Sequence, residues 1–239
     1  MIEAPAPAII TVVGDIRAAW SDRSHGDLRR RPDGGEGRLD QFAEQASSGR
    51  IRPGRLRGVR QVHGAEVLIV AESDDDPCPE GDGLVSSSPS VGLAVLTADC
   101  ASIAMGSPEG VFAAVHAGWR GLMGGVVEAA AGAMRDLGAT TLYGAVGPTI
   151  HPECYPFSEA DLSRVAAGYG DEVRATASNG QPALDLPGTV AAAFQRAGIR
   201  AVPGLDACTA CDDRYFSHRE RADPERQGLV VWSTAGGGR

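Results

Sequence analysis

The chain has 239 residues, of which 43% are hydrophobic and 22% are charged, and its formal net charge is −9 at pH 7. These values are typical of a soluble globular enzyme, and we predict a single domain over residues 1–239. The acidic balance argues against nucleic acid or an anionic membrane as a partner. No apolar run approaches the roughly 20 residues of a membrane span, and five cysteines, an odd number, do not indicate a disulfide framework. Because the N-terminus also lacks a signal-peptide pattern, we expect a cytoplasmic protein.

The first half of the chain alternates short β-branched runs with polar loops. Apolar residues recur at helical spacing over 39–47, which predicts a helix. Strands are predicted over 9–13, 16–20, 57–62, 66–71 and 92–96. The glycine- and charge-rich stretch 29–38 predicts a mobile loop, and 50–60, in which arginines alternate with glycine and proline, predicts a solvated connection. The acidic stretch 72–83 also predicts a solvated loop, because its spacing does not match an EF-hand calcium loop.

The second half contains two helical patterns and several short apolar runs. Helices are predicted over 122–137, where Gly138 ends an alanine-rich pattern, and over 189–197. Strands are predicted over 110–115, 141–146, 199–202 and 228–232, with 182–187 as a loop or short edge strand. The stretch 101–110 contains a Gly-Ser-Pro turn signal. We therefore expect the strands before and after it to be close neighbours that can pair.

Two reactive side chains follow directly on apolar runs. Cys100 ends a Thr-Ala-Asp-Cys motif, and His116 begins a His-Ala-Gly-Trp-Arg-Gly motif, while His63 ends a further strand candidate. Two imidazoles and one thiolate make a three-ligand zinc site with an open fourth position. Without metal, the same trio makes a nucleophilic pair in which an imidazole activates the thiol. A third interpretation is a buried cysteine with two hydrogen-bonded histidines, since separations of 37 and 16 residues match no short metal motif.

Cys208 and Cys211 form a lone Cys-x-x-Cys pair near the C-terminus. Because it has neither a second pair nor a thioredoxin-like start, we interpret it as structural or incidental. His151 and His218 lie in loops, where each is consistent with a surface imidazole.

Several motifs occur in a fixed order from about residue 57 to the C-terminus. They are Gln61-Val62-His63-Gly64, Gly81-Asp82-Gly83, Thr97-Ala98-Asp99-Cys100, Val115–Gly121, Gly147-Pro148-x-Ile150 with Cys154-Tyr155, and Asp206-x-Cys208-Thr209 with Phe216-Ser217-x-Arg219. Together they resemble the YfiH family, also called laccase-domain or polyphenol-oxidase-like proteins, which includes the peptidoglycan editing factor group. The two motifs around Cys100 and His116 are highly specific to this family.

The resemblance implies an α+β fold of mixed β-sheets flanked by helices, similar to that of cytotoxic-necrotizing-factor-like toxin domains. It also implies a zinc site formed by His63, Cys100 and His116, which would be the catalytic residues. The implied substrates are purine nucleosides and phosphate. The implied reactions are phosphorolysis of adenosine, inosine or methylthioadenosine, and deamination of adenosine. A monomer or a homodimer is expected.

Substrate-binding residues are predicted from motif position and chemistry. Arg120 is the candidate partner of phosphate or ribose, because a guanidinium beside helix N-terminal amides suits an anion. Arg23 and Arg214 are further candidates for phosphate. The weaker candidates for the pocket wall are Gln61, Phe216 and Arg23.

The N-terminal part, residues 1–50, departs from the family pattern, and only Arg23 carries over from the usual opening motif. Ser102 replaces the proline that usually lies two residues after the cysteine, and Pro156 replaces the glutamate expected after Tyr155. Because the N-terminal arm lines the pocket in the family, these departures bear on the choice of substrate.

Two other classes of function are compatible with parts of this sequence. Copper-dependent phenol oxidation is chemically conceivable, since two histidines and a cysteine can hold copper. A multicopper laccase also needs a trinuclear cluster with many more histidine ligands, and this chain has five histidines in total. A non-catalytic role in cell-wall editing is the third class, which the divergent N-terminal arm favours.

Overall fold

The computed structural model describes residues 6–29, 37–52, 54–73 and 78–235. Most of the loop predicted over 29–38, and part of the acidic loop over 72–83, therefore lie outside the described residues. The strands are β1 (Ala8–Val13), β2 (Ile16–Trp20), β3 (Leu56–Gly58), β4 (Val67–Ile69), β5 (Gly83–Ser86), β6 (Gly92–Thr97), β7 (Ala101–Gly106), β8 (Phe112–Ala117), β9 (Leu142–Val146), β10 (Arg174–Thr176), β11 (Pro182–Leu184), β12 (Ile199–Ala201) and β13 (Gln227–Ser233). The helices are α1 (Arg38–Ser47), α2 (Trp119–Gly124), α3 (Val126–Asp136), α4 (Glu159–Tyr169), α5 (Leu186–Ala197) and α6 (His218–Arg221).

Two mixed sheets form the centre of the molecule. The five-stranded sheet has the order β1-β2-β13-β6-β3, and the six-stranded sheet has the order β12-β9-β7-β8-β5-β4. Each contains parallel and antiparallel neighbours, such as the parallel pair β3 and β6 and the antiparallel pair β7 and β8. A separate two-stranded sheet pairs β10 with β11. The predicted α+β fold with mixed sheets flanked by helices is confirmed.

The two large sheets pack face to face, with helices on their outer faces. Alternation along β8 shows the arrangement, because successive side chains of a strand point to opposite faces. Phe112 and Ala114 contact the five-stranded sheet, whereas Ala113, Val115 and Ala117 belong to the core beneath α3, α4 and α5. The other face of the five-stranded sheet is covered by α1. None of the helices in the described ranges is long and apolar enough to cross a bilayer.

The expected pairing between strands 92–96 and 110–115 is wrong. These strands are β6 and β8, and they belong to different sheets. The segment between them is predicted as a turn from its Gly-Ser-Pro signal, but it contains the strand β7. This strand pairs with β8 over six residue pairs, from Ala101↔Ala117 to Gly106↔Phe112. The turn itself covers only Ser107–Gly110, closed by a hydrogen bond from the Gly110 N–H to the Ser107 carbonyl at 3.1 Å.

The single helix predicted over 122–137 is two helices, α2 and α3. Gly125 separates them with φ 84°, a left-handed conformation that glycine adopts without steric cost. The predicted strand 57–62 is also shorter, since β3 ends at Gly58 and the chain then turns toward the other sheet. Helices α4 and α6 and the strands β5, β7 and β10 were not predicted.

Two stretches predicted as solvated contain buried charges. Within 50–60, the Arg57 side chain is buried and donates to the carbonyl oxygens of Gly54 at 2.8 Å and Glu72 at 3.1 Å. Within 72–83, Asp82 is fully buried. Composition predicts exposure correctly at Arg50, Arg52 and Arg60, but it does not identify which residues of such a stretch turn inward.

Candidate functional site

His63 and Cys100 lie where the chain passes from the five-stranded to the six-stranded sheet. Because β3 and β6 are parallel neighbours, their C-terminal ends lie at the same edge of the sheet. His63 follows β3 on the way to β4, and Cys100 follows β6 on the way to β7. The backbone has a positive φ at His63 (59°) and at Asp99 (87°), which non-glycine residues seldom adopt. These two turns bring the side chains together, and such backbone strain is concentrated at functional sites.

His116 reaches the same place from β8. In the register of β5 and β8, Gly83 lies opposite Val115, so Asp82 is beside His116. The His116 N–H donates to the Asp82 carbonyl oxygen at 2.7 Å, and His116 Nδ1 lies 2.8 Å from Asp82 Oδ1. The same carboxylate accepts hydrogen bonds from the backbone N–H groups of Val62 (3.2 Å), His63 (3.0 Å) and Gly64 (2.6 Å). Asp82 therefore fixes the backbone of one histidine and the ring of the other.

His63, Cys100 and His116 each offer one ligand atom, and these atoms lie within 4.8 Å of one another. The two imidazole rings meet edge to face, with their centroids 4.9 Å apart. Gly118 packs against the trio, because a Cβ at this position would lie 3.1 Å from both Cys100 Sγ and His63 Cδ2. The structure thus brings together the three side chains that the sequence singled out.

The trio forms an ion pair in the absence of metal. Burial would raise the pKa of the Cys100 thiol, but hydrogen bonds and charge from His116 and His63 outweigh it and lower that pKa to about 6. Burial would lower the pKa of His116, but Asp82 and Cys100 outweigh it and raise that pKa to about 9. Burial likewise works against the ionised Asp82, yet hydrogen bonds from His116 and Gly64 lower the pKa of its carboxyl. Near neutral pH, Cys100 is a thiolate and His116 an imidazolium.

The donor set fits a metal ion. Two nitrogen donors and one thiolate at this spacing suit tetrahedral Zn²⁺ with one open position, and the same donors suit copper. The Asp82 carboxylate occupies Nδ1 of His116, so its Nε2 is the nitrogen available to a metal. A carboxylate that orients a ligating histidine in this way is a usual second partner in metal sites.

A cavity of about 660 Å³ opens over the trio. This volume is within the ~300–1,000 Å³ range of small-molecule sites. Four arginines line it, namely Arg29, Arg60, Arg219 and Arg226, whereas Asp99 is the one carboxylate among its described lining residues. The lining also includes Gln61, Tyr155 and His218. Its charge therefore favours an anionic ligand.

Gln61 and Arg120 occupy different positions relative to this cavity. Gln61 lines it, and its side-chain amide pairs with the backbone of Leu96, donating to the carbonyl at 2.6 Å and accepting from the N–H at 2.8 Å. Arg120 is exposed and lies over the Trp119 ring, with Cζ 4.3 Å from the ring centroid. It is not among the residues that line the cavity.

Arg23 and Phe216 lie against each other outside the cavity lining. The Arg23 guanidinium is 4.4 Å from the Phe216 ring centroid and forms an ion pair with Asp223 at 2.7 Å. Both residues instead line a neighbouring hollow with Arg29. Arg214 is an exposed residue that pairs with Asp212 at 2.6 Å. The structure does not bring these three predicted residues to the trio.

Asp82, Tyr155 and Arg219 were not predicted as site residues. Arg219 is exposed at the cavity, and its guanidinium lies 4.9 Å from the Tyr155 ring centroid and donates to the Pro156 carbonyl at 3.0 Å. No carboxylate of the described residues pairs with it. The Arg219 N–H donates to Asp99 Oδ2 at 2.7 Å, which fixes this arginine beside the turn that carries Cys100. The Gly-Asp-Gly and Phe-Ser-x-Arg motifs contained the signal for Asp82 and Arg219.

Ser102, at the position of the expected proline, has a structural partner. Its hydroxyl accepts a hydrogen bond from Trp20 Nε1 at 3.0 Å, and its carbonyl accepts one from the Gly147 N–H at 2.9 Å. Trp20 lies so close to Gly147 that a Cβ there would clash with the indole. The divergent N-terminal part therefore contributes to the wall behind the site through β2.

Comparisons with known proteins identify a matching family and several similar relatives. The model of a family described as "Multi-copper polyphenol oxidoreductase laccase" matches residues 39–234. A purine nucleoside phosphorylase of Streptomyces coelicolor is 37% identical over 186 residues, covering 76% of this chain and 76% of that protein. A purine nucleoside phosphorylase of Mycobacterium tuberculosis is 34% identical over 181 residues, covering 74% of this chain and 72% of that protein.

Solved structures show the same fold. A DUF152 protein of Neisseria meningitidis superposes with a TM-score of 0.81 at 20% identity, covering 96% of this chain and 99% of that one. YlmD from Geobacillus stearothermophilus superposes with a TM-score of 0.77 at 26% identity, covering 92% of each chain.

Proposed function

The chain belongs to the YfiH family of laccase-domain proteins, and we propose that it is a zinc-dependent enzyme that cleaves purine nucleosides with phosphate. The observation that carries the proposal is the position of His63, Cys100 and His116 beneath a cavity of about 660 Å³ lined by four arginines. The names of its relatives support the substrate class. Adenosine, inosine and methylthioadenosine are the proposed substrates.

The cavity lining suits the phosphate co-substrate. Of the four arginines, Arg60 pairs with Glu80 and Arg29 with Asp27, while Arg226 donates to backbone carbonyls of the 223–225 turn. Arg219 keeps a guanidinium without a carboxylate partner among the described residues, and a guanidinium can bind a phosphate through two parallel hydrogen bonds. We therefore assign Arg219 as the main phosphate contact, with the exposed Arg120, which lies outside the lining, as a second contact.

The remaining lining residues would position the nucleoside. Zinc held by the trio would supply a Lewis acid at the floor of the cavity. Tyr155 and Arg219 both line the cavity, with the guanidinium 4.9 Å from the ring centroid, and together they would contact the base or the sugar. Asp99 is not free to bind the departing base, because Oδ1 accepts from Thr209 Oγ1 at 2.7 Å and Oδ2 accepts from the Arg219 N–H. Asp99 therefore stabilises the cavity wall.

Adenosine deamination is the lesser of the two proposed reactions. Deaminases that use zinc also use a carboxylic acid to move protons at the metal. Asp99 has both oxygens engaged, and Glu66, the acid that follows His63 most closely, is exposed and is not among the lining residues. The lining therefore favours phosphate chemistry over deamination.

Phenol oxidation by a copper cluster is not supported. The second group of metal-compatible side chains in the described residues contains cysteines and a glutamate but no histidine. A trinuclear copper centre has no donor set there.

The test is a panel of adenosine, inosine and methylthioadenosine with and without phosphate, using zinc-loaded protein and no added copper. The proposal expects free base and a ribose 1-phosphate only when phosphate is present. Base release that is independent of phosphate would show hydrolysis instead. Phenol oxidation by the protein as isolated, with no nucleoside turnover, would favour the copper class, and no turnover in either assay would favour the cell-wall editing role.

A further inference from the structure

A second cluster of metal-compatible side chains lies outside the cavity lining. It consists of Glu153, Cys154, Cys208 and Cys211, whose ligand atoms all lie within 4.8 Å of one another. Cys154 Sγ and Cys211 Sγ are 3.1 Å apart, and Cys211 Sγ is 3.8 Å from Glu153 Oε1. We refer to these four residues as the thiol cluster. The Cys-x-x-Cys pair that the sequence left without a role thus gains two further donors from a distant segment.

The backbone holds the two halves of the thiol cluster together. Thr149 and Cys208 form a parallel bridge, in which the Thr149 N–H donates to the Ala207 carbonyl and the Thr209 N–H donates to the Thr149 carbonyl, both at 3.1 Å. The Asp212 N–H donates to the Cys208 carbonyl at 2.9 Å, which closes a turn and places both cysteines of the pair on one side. The scaffold of the cluster therefore does not depend on its side chains.

Neighbouring groups hold the donors of the thiol cluster in place. The His151 N–H donates to Cys208 Sγ at 3.4 Å, which holds this sulfur toward the 151–154 turn. The Arg221 guanidinium donates to the carbonyls of Thr209 at 2.8 Å and Ala210 at 3.0 Å, inside the turn between the two cysteines. His151 Nδ1 lies 3.8 Å from Glu153 Oε1, where it can orient that carboxylate.

We propose that the thiol cluster is a second metal site, in which Cys154, Cys208, Cys211 and Glu153 bind a thiophilic divalent cation such as Zn²⁺. A divalent cation bound by these donors would replace the thiol protons, so metal binding would release protons. Tetrahedral zinc bonded to sulfur at about 2.3 Å needs sulfur atoms a little under 4 Å apart, which small side-chain rotations provide. With four protein donors and no open position, the site is structural rather than catalytic.

Metal at the thiol cluster would stabilise one wall of the cavity. It would join the 151–154 turn to the 206–212 segment. Thr209, between the two cysteines of the pair, donates through Oγ1 to Asp99 Oδ1, and the Thr149 hydroxyl donates to the Asp99 carbonyl at 2.6 Å. Asp99 directly precedes Cys100. Occupancy of the cluster would therefore hold the turn that positions the thiolate of the trio.

The proposal is tested by counting zinc in protein purified with a reductant and without chelators. Cys154→Ser and Cys211→Ser should each contain about one zinc ion fewer per chain than the wild type. Cys78→Ser, which removes a cysteine outside both clusters, should match the wild type. In cobalt-substituted protein, His63→Ala should retain strong thiolate-to-metal charge-transfer absorption, and Cys154→Ser should lose most of it. These readouts do not require any nucleoside activity.

Stability gives an independent readout. Chelation in the His63→Ala background should lower the melting temperature, and the same treatment of His63→Ala/Cys154→Ser should leave it unchanged. Wild-type zinc content in both Cys154→Ser and Cys211→Ser would overturn the proposal. A Cys154–Cys211 disulfide in the protein as purified, with no second metal ion, would also overturn it and would assign the pair to redox chemistry.

Discussion

Asp82 and His116 are joined twice, once through the backbone at 2.7 Å and once through Oδ1 and Nδ1 at 2.8 Å. Both side chains are buried. The double contact sets the position of the histidine along β8 and the orientation of its ring, so Nε2 is presented to Cys100. A carboxylate that lies within an acidic loop of the sequence is thus the residue that organises the site.

Asp82→Asn should weaken zinc binding at the trio about 10- to 100-fold, since outer partners of ligating histidines contribute to affinity on this scale. The asparagine amide carries no negative charge, and its NH₂ group would face backbone N–H groups that now donate to the carboxylate. Because these donors would lose their acceptor, the free energy of unfolding should also fall by about 1–3 kcal/mol. Chelator competition and thermal melting measure the two effects. Glu80→Gln is the matched control, because this nearby carboxylate is exposed and its ion pair among the described residues is with exposed Arg60. Equal zinc affinities in the two variants would contradict the role assigned to Asp82.

Gly118→Ala should reduce zinc occupancy while leaving the fold intact. Its Cβ would lie 3.1 Å from Cys100 Sγ and from His63 Cδ2, so both ligands must shift. The φ at Gly118 is −76°, so the backbone itself accepts alanine. Gly132→Ala, in α3 with no atom near the added Cβ, is the control and should stabilise the protein by roughly 0.5–1 kcal/mol. Normal zinc affinity in Gly118→Ala would show that the trio is not the metal site.

Zinc binding at the trio should release about one proton at pH near 7.5. In the metal-free protein the pKa of Cys100 is about 6 and that of His116 is about 9, so the cysteine is already deprotonated and the histidine must lose a proton to bind. Release should rise as the pH falls through about 6, where Cys100 also becomes protonated, and should decline as the pH rises through about 9. Calorimetry in buffers of different ionisation enthalpy measures this number, using a Cys154→Ser/Cys211→Ser background. Proton release that is constant across this range would contradict the thiolate–imidazolium pair.

Arg219→Lys should raise the phosphate KM, or lower the phosphorolysis rate, about 10-fold, the loss of one interaction of about 1.4 kcal/mol. A lysine contributes a single point contact where the guanidinium can form two hydrogen bonds. Arg120→Lys should have a smaller effect, because Arg120 lies outside the cavity lining. Steady-state kinetics at varied phosphate compares the two variants. A larger loss in Arg120→Lys than in Arg219→Lys would show that Arg120 is the main phosphate contact.

The sequence predicted local features of the fold better than its long-range pairing. The strands at 9–13 and 16–20 and the helix at 39–47 match β1, β2 and α1 within two residues at each end, because their patterns are local. The assignment of 92–96 and 110–115 as paired strands failed because a turn signal does not reveal that β7 precedes it. The two strands instead pack against each other across the interface between the sheets. The side chains of Cys100 and His116 lie close together because the chain passes from one sheet to the other at Asp99. The hydrophobic periodicity of the sequence does not predict such a change of sheet.

The residues of the candidate site were likewise predicted only in part. Residue chemistry and the family motifs identified His63, Cys100 and His116, which the structure brings together. Arginine chemistry alone could not rank Arg23, Arg120, Arg214 and Arg219, because the ranking depends on which of them pair with carboxylates on the same surface. Arg23 and Arg214 do so, with Asp223 and Asp212.

The rate of phosphorolysis by Cys100→Ser, compared with the wild type in the same zinc-supplemented assay, tests the central claim most directly. Serine keeps the size of the side chain but is a poor zinc ligand, so the variant should melt as a folded protein and lose zinc from the trio. Its phosphate-dependent release of base should fall at least about 100-fold, which corresponds to roughly 2.7 kcal/mol of transition-state stabilisation. Wild-type turnover by this variant would contradict the assignment of the trio as the catalytic metal centre.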